Sequence, residues 1–544
     1  MKRTIHLHIV IFLMAFCSLS YEFVLATELS HIFNEGIFVY PAILSAFILS
    51  MGAGSLLWHH KHRKGIHYRN AIFLVEIALI IIGCMSVWLI DLSYIHQFAS
   101  PAITAFVITL IIGFLTGQEL PLIFIYAEEH NLSPKTVRRM LFFDYLASFF
   151  ASLVMAFILF PLFDTVRIAW IISVLNLLTL FLLLIFFPPR SHILKWFSLI
   201  FAAIALGIYA FLFRNAETIE ERLITNILID HEDTKALLVE KIHTPYQRIS
   251  LFAFRMDGAP VTNKMLPEIL VQPDDYRLAG YLNWTVQFSH PLSYEADFYH
   301  VFLTDPFIEL LPNIKKVLIL GGGDGLPAKQ LIKYDQIEHI TMVDIDEEWV
   351  SFSRDNPYMK KVNNNALNHP KIHLKFEDAF TWIARSKEKF DAIFIDFPAE
   401  TNLAAIRVST VQFSSDLKRL LNDGGVIINQ GDNEVPLEVF ETIRRTGYAA
   451  GLWPLMGYDT QNEDFTFQNV LFKEKETRDK FLTTYQNEYA PFPKRFQHRD
   501  GVLGHVTYLP ADDNVPACCP LSIYDPNILG GSLGTSQLPF EGVF

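Results

Sequence analysis

Seven long apolar runs fill the first 213 positions of this 544-residue chain and restrict its fold more than any other feature. They lie near His8 to Ala26, Ile37 to Trp58, Ala71 to Ile90, Ala102 to Tyr126, Met140 to Phe163, Ile168 to Phe187 and Trp196 to Phe213. Runs of about 17 or more apolar residues are too long for core strands and long enough to cross a hydrocarbon layer about 30 Å thick. Residues 1–214 are therefore expected to form a multi-pass α-helical domain in a lipid bilayer, with a cell (inner) membrane location. The first run resembles a signal peptide in length. Glu22 interrupts it, it lacks a convincing small-x-small cleavage site, and further spans follow, so it reads as a retained helix.

Basic residues gather in alternate loops. Lys2 and Arg3 precede the first run; Lys61, Arg63, Lys64 and Arg69 follow the second; Lys135, Arg138 and Arg139 follow the fourth; Arg190 and Lys195 follow the sixth. The positive-inside rule puts these loops and the N-terminus in the cytoplasm. Seven spans then put the remainder of the chain outside, whereas an enzyme using cytosolic metabolites belongs inside. One span fewer reverses the result, so the seventh run decides it and the side stays open. Glu22, Glu76, Glu119 and Asp144 fall within the runs. Acids at membrane depth face a partner or a water-filled cavity, so they act either as links between helices, the favoured reading, or as a cation site.

Up to residue 213, twelve Lys and Arg stand against ten Asp and Glu; the whole chain carries −13, so the remainder carries −15. Nucleic acid is an unsuitable partner for such a surface. The four cysteines, Cys17, Cys84, Cys518 and Cys519, form no CxxC pair and support neither a metal site nor a disulfide framework.

The pattern changes after Arg214. Residues 215–297 read as a small β-rich subdomain of short strands, such as Ala236–Glu240 and Arg248–Phe254. From residue 298 to about 480, the runs Val317–Leu320, Ile340–Val343, Ile372–Phe376, Ala392–Ile395 and Val426–Ile428 alternate with helical stretches. That rhythm predicts a parallel, doubly wound, Rossmann-like α/β domain of the methyltransferase type. Residues 481–544, rich in Pro and Gly towards the end, form a C-terminal extension. Ligands of doubly wound sheets bind beyond the carboxyl ends of the strands. Gly321, Gly322, Gly323, Asp324 and Gly325 follow the first run, Asp344 the second, Glu377 and Asp378 the third, Asp396 the fourth and Gln430 the fifth. Glycines let a backbone turn sharply beneath a ligand. A carboxylate after the second strand suits a ribose diol. Each acid taken alone could equally be a helix N-cap.

The segment VLILGGGDGLPAKQ resembles the signature of the spermidine synthase (polyamine aminopropyltransferase) family. Tyr246-Gln247-Arg248-Ile249, Leu282-Asn283 with Gln287, Tyr299-His300, and Gly424-Gly425 leading to Gln430 resemble further motifs of that family in order. Ser18–Glu22 (SLSYE), Met51–Ser55 (MGAGS) and Gly117–Pro121 (GQELP) are similar to the membrane part of its fused bacterial members. The resemblance implies transfer of an aminopropyl group from decarboxylated S-adenosylmethionine, a co-substrate rather than a cofactor, to putrescine or a related polyamine. It implies donor contacts from Gln247, Gly321, Gly323, Asp324, Gly325, Asp344, Glu377, Asp378 and Ala379. The acceptor side would use Gln287, Tyr299, His300, Glu400 and Gln430, with Asp396 as general base. In-line displacement with a neutral thioether leaving needs no metal. A homodimer is also implied.

The chain departs from the family on the acceptor side. The family's Asp-x-x-Asp-Pro is Asp396-Phe397-Pro398-Ala399-Glu400, and its Tyr-His-Glu is Tyr299-His300-Val301. Two other readings are therefore carried forward: an S-adenosylmethionine-dependent methyltransferase on the same sheet, and a non-catalytic membrane protein that binds polyamine or nucleoside. Asp324 opposes the first, because a carboxylate beside the donor tail suits a bare ammonium and repels a second carboxylate.

Overall fold

Each apolar run becomes a helix in the computed structural model of the chain. The structure describes residues 2–33, 36, 38–58, 67–96, 99–216, 218–219, 236–244, 246–282, 285–291, 298–397, 410–430, 446–459, 467–489 and 506–510. They fall into two units, Met1–Asp233 and Thr234–Gly542.

In the first unit, seven helices among the described residues are long and apolar enough to cross a membrane: Ile5–Phe33, Val39–Leu56, Tyr68–Tyr94, Pro101–Glu129, Pro134–Leu162, Thr165–Phe186 and His192–Arg214. The seventh run, which decides the sidedness argument, is one unbroken helix of 23 residues. Local chemistry sets the starts of the last three helices. Ser133 accepts the N–H of Thr136, Asp164 that of Arg167 and Ser191 that of Leu194, each satisfying an otherwise orphaned helix donor.

Small residues bring the second and fourth helices together. A Cβ on Gly54 would collide with the Phe114 carbonyl, one on Gly113 with Ser50 Oγ, and one on Gly117 with the Met51 carbonyl. Gly52, two residues away on another face of the helix, meets open space. Polar side chains join other helices: Tyr21 Oη lies 2.9 Å from Ser173 Oγ, and Trp58 Nε1 donates to Gln118 Oε1 at 3.0 Å. Thr165 Oγ1 donates to the buried Glu28 carboxylate. Glu22, Glu76 and Glu119 are buried within the unit, and Asp144 is half-buried.

The second unit begins with an antiparallel sheet of β1 (Leu237–His243), β2 (Arg248–Arg255), β3 (Tyr276–Leu282) and β4 (Thr285–Pro291), in that order. β2 is buried on nearly every residue, because Ile249, Leu251 and Ala253 pack against Trp349, Met359 and Val362 of the following α/β part.

That part is built on one sheet. Its strands are β5 (Lys316–Gly321), β6 (His339–Asp344), β7 (Ile372–Phe376), β8 (Phe390–Asp396), β9 (Leu421–Gln430), β10 (Trp453–Asp459), β11 (Phe467–Phe472) and β12 (Val506–Pro510). Their order is β12-β10-β11-β9-β8-β5-β6-β7. The five strands read from the apolar runs pair in parallel, as expected. The sheet is mixed rather than wholly parallel, since β11, β10 and β12 extend it antiparallel beyond β9. The C-terminal extension thus supplies an edge strand. β5 shows why such strands read as continuous apolar runs: Val317 and Ile319 enter the core on one face, Leu318 and Leu320 that on the other. The chain runs outward from β5 to β6 and β7, then returns to lay β8 and β9 on the other side of β5. The switch point lies between β5 and β8, where Gly321 pairs with Asp396.

Candidate active site

The turn after β5 needs its glycines. Gly321, Gly322 and Gly325 have φ of +80°, +71° and +83°, in the left-handed region. A Cβ on Gly321 would strike the carbonyl oxygen of Asp396, and that same carbonyl accepts the N–H of Gly322 at 3.1 Å. Gly323 is glycine because of crowding. A Cβ there would lie 2.6 Å from Trp349 Cδ1 and 2.8 Å from Asp344 Oδ2. The turn is thereby fastened to the end of β8 and drawn against the end of β6.

Asp324 is buried, and its Oδ1 accepts the N–H of Leu326 at 2.8 Å. Asn363 Nδ2 supports it from behind, donating to the Asp324 carbonyl at 2.9 Å and to that of Ser353 at 3.0 Å. Asn363 lies 39 residues away in a polar stretch that carries no motif, so sequence alone does not single it out.

His300, on the helix Phe298–Leu310, is fully enclosed and sets Nε2 3.5 Å from Asp396 Oδ2. One ligand atom from each of His300, Asp324 and Asp396 lies within 4.8 Å of the other two, and among the described residues no other three His, Cys, Asp or Glu side chains converge in this way. The structure therefore brings together three predicted residues from three elements. Two buried carboxylates beside an imidazole favour a cationic ligand, because charge withdrawn from water needs a partner.

At the end of β6, Asp344 accepts the N–H of Asp346 at 2.8 Å and is hydrogen-bonded by the Gly323 backbone. Burial is the main cause that pushes its carboxyl up to about 6, helped by the charges of Asp346 and Asp396. Gln247, expected on the nucleoside, gives its Nε2 to Asp346 Oδ2 at 2.9 Å, and Thr244 Oγ1 donates to the same oxygen at 2.6 Å. Asp346, which also caps the helix Glu347–Asp355, adds a polar tie between the small sheet and the large one. Its signal was a capping acid three residues before Trp349, hidden beside the more conspicuous Asp344.

The remaining acids divide. Asp378 is a helix N-cap, its Oδ1 accepting from Thr381 N and Oγ1 at 2.8 Å each, which leaves Oδ2 out of the cap. Glu377 pairs with the exposed Arg385 on the helix that Asp378 caps, and Ala379 is buried in that helix's first turn. Gln287 sits at a β-bulge between β3 and β4, where no described hydrogen bond joins it to the His300 cluster. Tyr299 lies on the same helix as His300, and Gln430 ends β9 opposite Gln468. Ala399 and Glu400 lie outside the described residues.

The second unit thus contains a Rossmann-like domain with a glycine turn and buried acids gathered at its switch point. Residues 296–451 match the Spermine/spermidine synthase domain. The chain is 27% identical to the polyamine aminopropyltransferase of Oceanobacillus iheyensis over 442 residues, covering 80% of this chain and 79% of that one. It is 29% identical to polyamine aminopropyltransferase 2 of Aquifex aeolicus over 486 residues, covering 86% and 90%. Both alignments are longer than the second unit, so the likeness runs into the helical unit as well. The crystal structure of spermidine synthase from Thermotoga maritima matches with a TM-score of 0.36 and 18% identity, over 46% of this chain and 78% of that one. The chain is thus similar to polyamine aminopropyltransferases over about four-fifths of its length, with the matched synthase domain lying behind an N-terminal helical region.

Proposed function

We propose that this protein is a membrane-embedded aminopropyltransferase that moves the aminopropyl group of decarboxylated S-adenosylmethionine onto putrescine or a related polyamine. The observation that carries the reading is the convergence of Asp324, His300 and Asp396 at the β5–β8 switch point. In this reading the glycine turn seats the nucleoside, Asp344 takes the ribose hydroxyls and Asp324 takes the donor's ammonium tail. Asp396 is the general base. An alkylammonium titrates near 10, so the acceptor must lose a proton before its lone pair can attack. Holding amine and sulfonium in line supplies most of the acceleration; effective molarity contributes up to about 7–11 kcal/mol.

In this reading Glu377, Asp378 and Ala379 contact the donor from the end of β7, Asp378 also capping the helix that follows it. Gln247 fits as a brace for Asp346. The seven apolar helices support residence in the bilayer. With basic loops inside, seven spans direct the second unit to the opposite side from the N-terminus, which a reporter fused to the C-terminus reads directly. The homodimer expectation is tested by the mass of the detergent-solubilised particle.

The deciding assay mixes the purified chain in detergent with decarboxylated S-adenosylmethionine and a panel of amines and follows methylthioadenosine release. Release that falls by about 10²–10⁴-fold in Asp396→Asn supports the reading. Turnover only with intact S-adenosylmethionine would replace it with a methyltransferase, and binding without turnover with a sensor.

A further inference from the structure

The carboxyl of Asp396 ends β8 with its side chain only 6% exposed, and its main-chain oxygen is already committed to Gly322. A carboxylate that acts as a base needs one oxygen turned to the proton it takes and the other held still. The group placed to hold it is His300. Its ring is 0% exposed and Nε2 lies 3.5 Å from Oδ2. Hydrogen bonds of this kind are commonly long without substrate and tighten in the Michaelis complex. Two other acids bear on the pair: Asp324 from the glycine turn, within the same 4.8 Å cluster, and Asp344 from the end of β6, whose charge interacts with that of Asp396.

We propose that His300 is the positioning residue of Asp396: Nε2–H donates to Oδ2 and thereby presents Oδ1 to the acceptor. The inference rests on Asp396 as general base. Oδ1 takes one proton from the acceptor ammonium. The freed lone pair forms the C–N bond as the C–S bond breaks, its electron pair staying on sulfur. The products are a neutral thioether and a secondary ammonium, and Asp396 gives its proton to solvent after release. His300 touches neither reacting atom. It fixes the direction of the base, and loss of such alignment costs about 10²-fold.

The test is initial-rate kinetics of the full chain in detergent, following methylthioadenosine release. His300→Leu fills the same space without a donor and is expected to lower kcat about 100-fold, with the donor KM within about threefold of the unmodified protein. His300→Gln restores an N–H at similar reach and is expected to return kcat to within about tenfold. The His300→Leu/Asp396→Asn double variant is expected to be no slower than Asp396→Asn, because an aligner has nothing to act on once the base is gone. Should the Leu variant fail to fold, His300→Asn, whose amide is too short to reach, takes its place with the same expectation. Unchanged kcat in the Leu variant, a Gln variant as slow as Leu, or full additivity in the double variant would each overturn the proposal. Asp396→Asn separates the two failures. If that variant keeps the unmodified rate, the general-base reading falls with the proposal, whereas an inactive Asp396→Asn beside a fully active His300→Leu sinks the role of His300 alone.

Discussion

Asp344→Asn should stabilise the unliganded second unit near neutral pH while damaging its ligand site. The carboxyl of Asp344 is pushed from its ordinary 3.8 up to about 6, chiefly by burial. Its folded value lies above its unfolded value, so folding takes up a proton there. The stability contributed by this residue is present below the ordinary value and lost as pH rises through about 6. A shift of about 2 units corresponds to roughly 3 kcal/mol of penalty at pH 7.5, against about 1 kcal/mol at pH 4.5. Asparagine removes that pH-dependent penalty. Its Oδ1 can still accept from Asp346, but its Nδ2 would face the Gly323 N–H, a loss of about 1–2 kcal/mol at every pH. The net effect is stabilisation of about 1–2 kcal/mol at pH 7.5 and none, or slight destabilisation, at pH 4.5. Denaturant unfolding of the full chain in detergent at the two pH values, followed by a second-unit signal such as Trp349 fluorescence, measures it. Methylthioadenosine should stabilise the unmodified protein and bind the variant at least about tenfold more weakly, because a charged hydrogen-bond acceptor is lost. Destabilisation of equal size at both pH values would refute the reasoning, since it would mean that Asp344 is not held against its own charge.

Three further outcomes test other parts of the structure. Gly321→Ala is expected to abolish methylthioadenosine binding, since its Cβ would displace the Asp396 carbonyl from a φ +80° turn; binding measured by calorimetry checks this. Gly54→Ala should lower the stability of the helical unit by about 1–3 kcal/mol, and Gly52→Ala, facing open space, should leave it unchanged; thermal unfolding in detergent distinguishes them. Asn363→Ala removes the donor to the Asp324 carbonyl and should raise the donor KM by about tenfold with less effect on the acceptor KM, read from steady-state rates.

The parts of this fold that were legible in sequence are those in which one segment carries its own signal. A helix that must cross lipid writes about twenty apolar residues in a row, and a parallel strand buried on both faces writes a short unbroken run, as Val317–Leu320 does. The antiparallel extension was not legible. Phe467–Phe472 includes Gln468 and Asn469, Val506–Pro510 is five residues long, and each is a strand only because a neighbour offers its edge. The same division applies at the site. Gly321–Gly325 announces a turn by glycine density, but the 95 residues between His300 and Asp396 hide that the two side chains meet. Asp378 shows the opposite case, a residue with an obvious position whose first oxygen is occupied by the backbone of its own helix.

The hydrogen bond from Gly322 to the peptide oxygen of Asp396 makes one residue answer to both ends of the proposed transfer. In the proposed reaction, the span between the incoming nucleophile and the carbon it must reach is then set by a single peptide unit. Adaptation of that reaction to longer or shorter amines then falls to the walls around that gauge, such as the helix Phe298–Leu310, while the gauge itself stays constant.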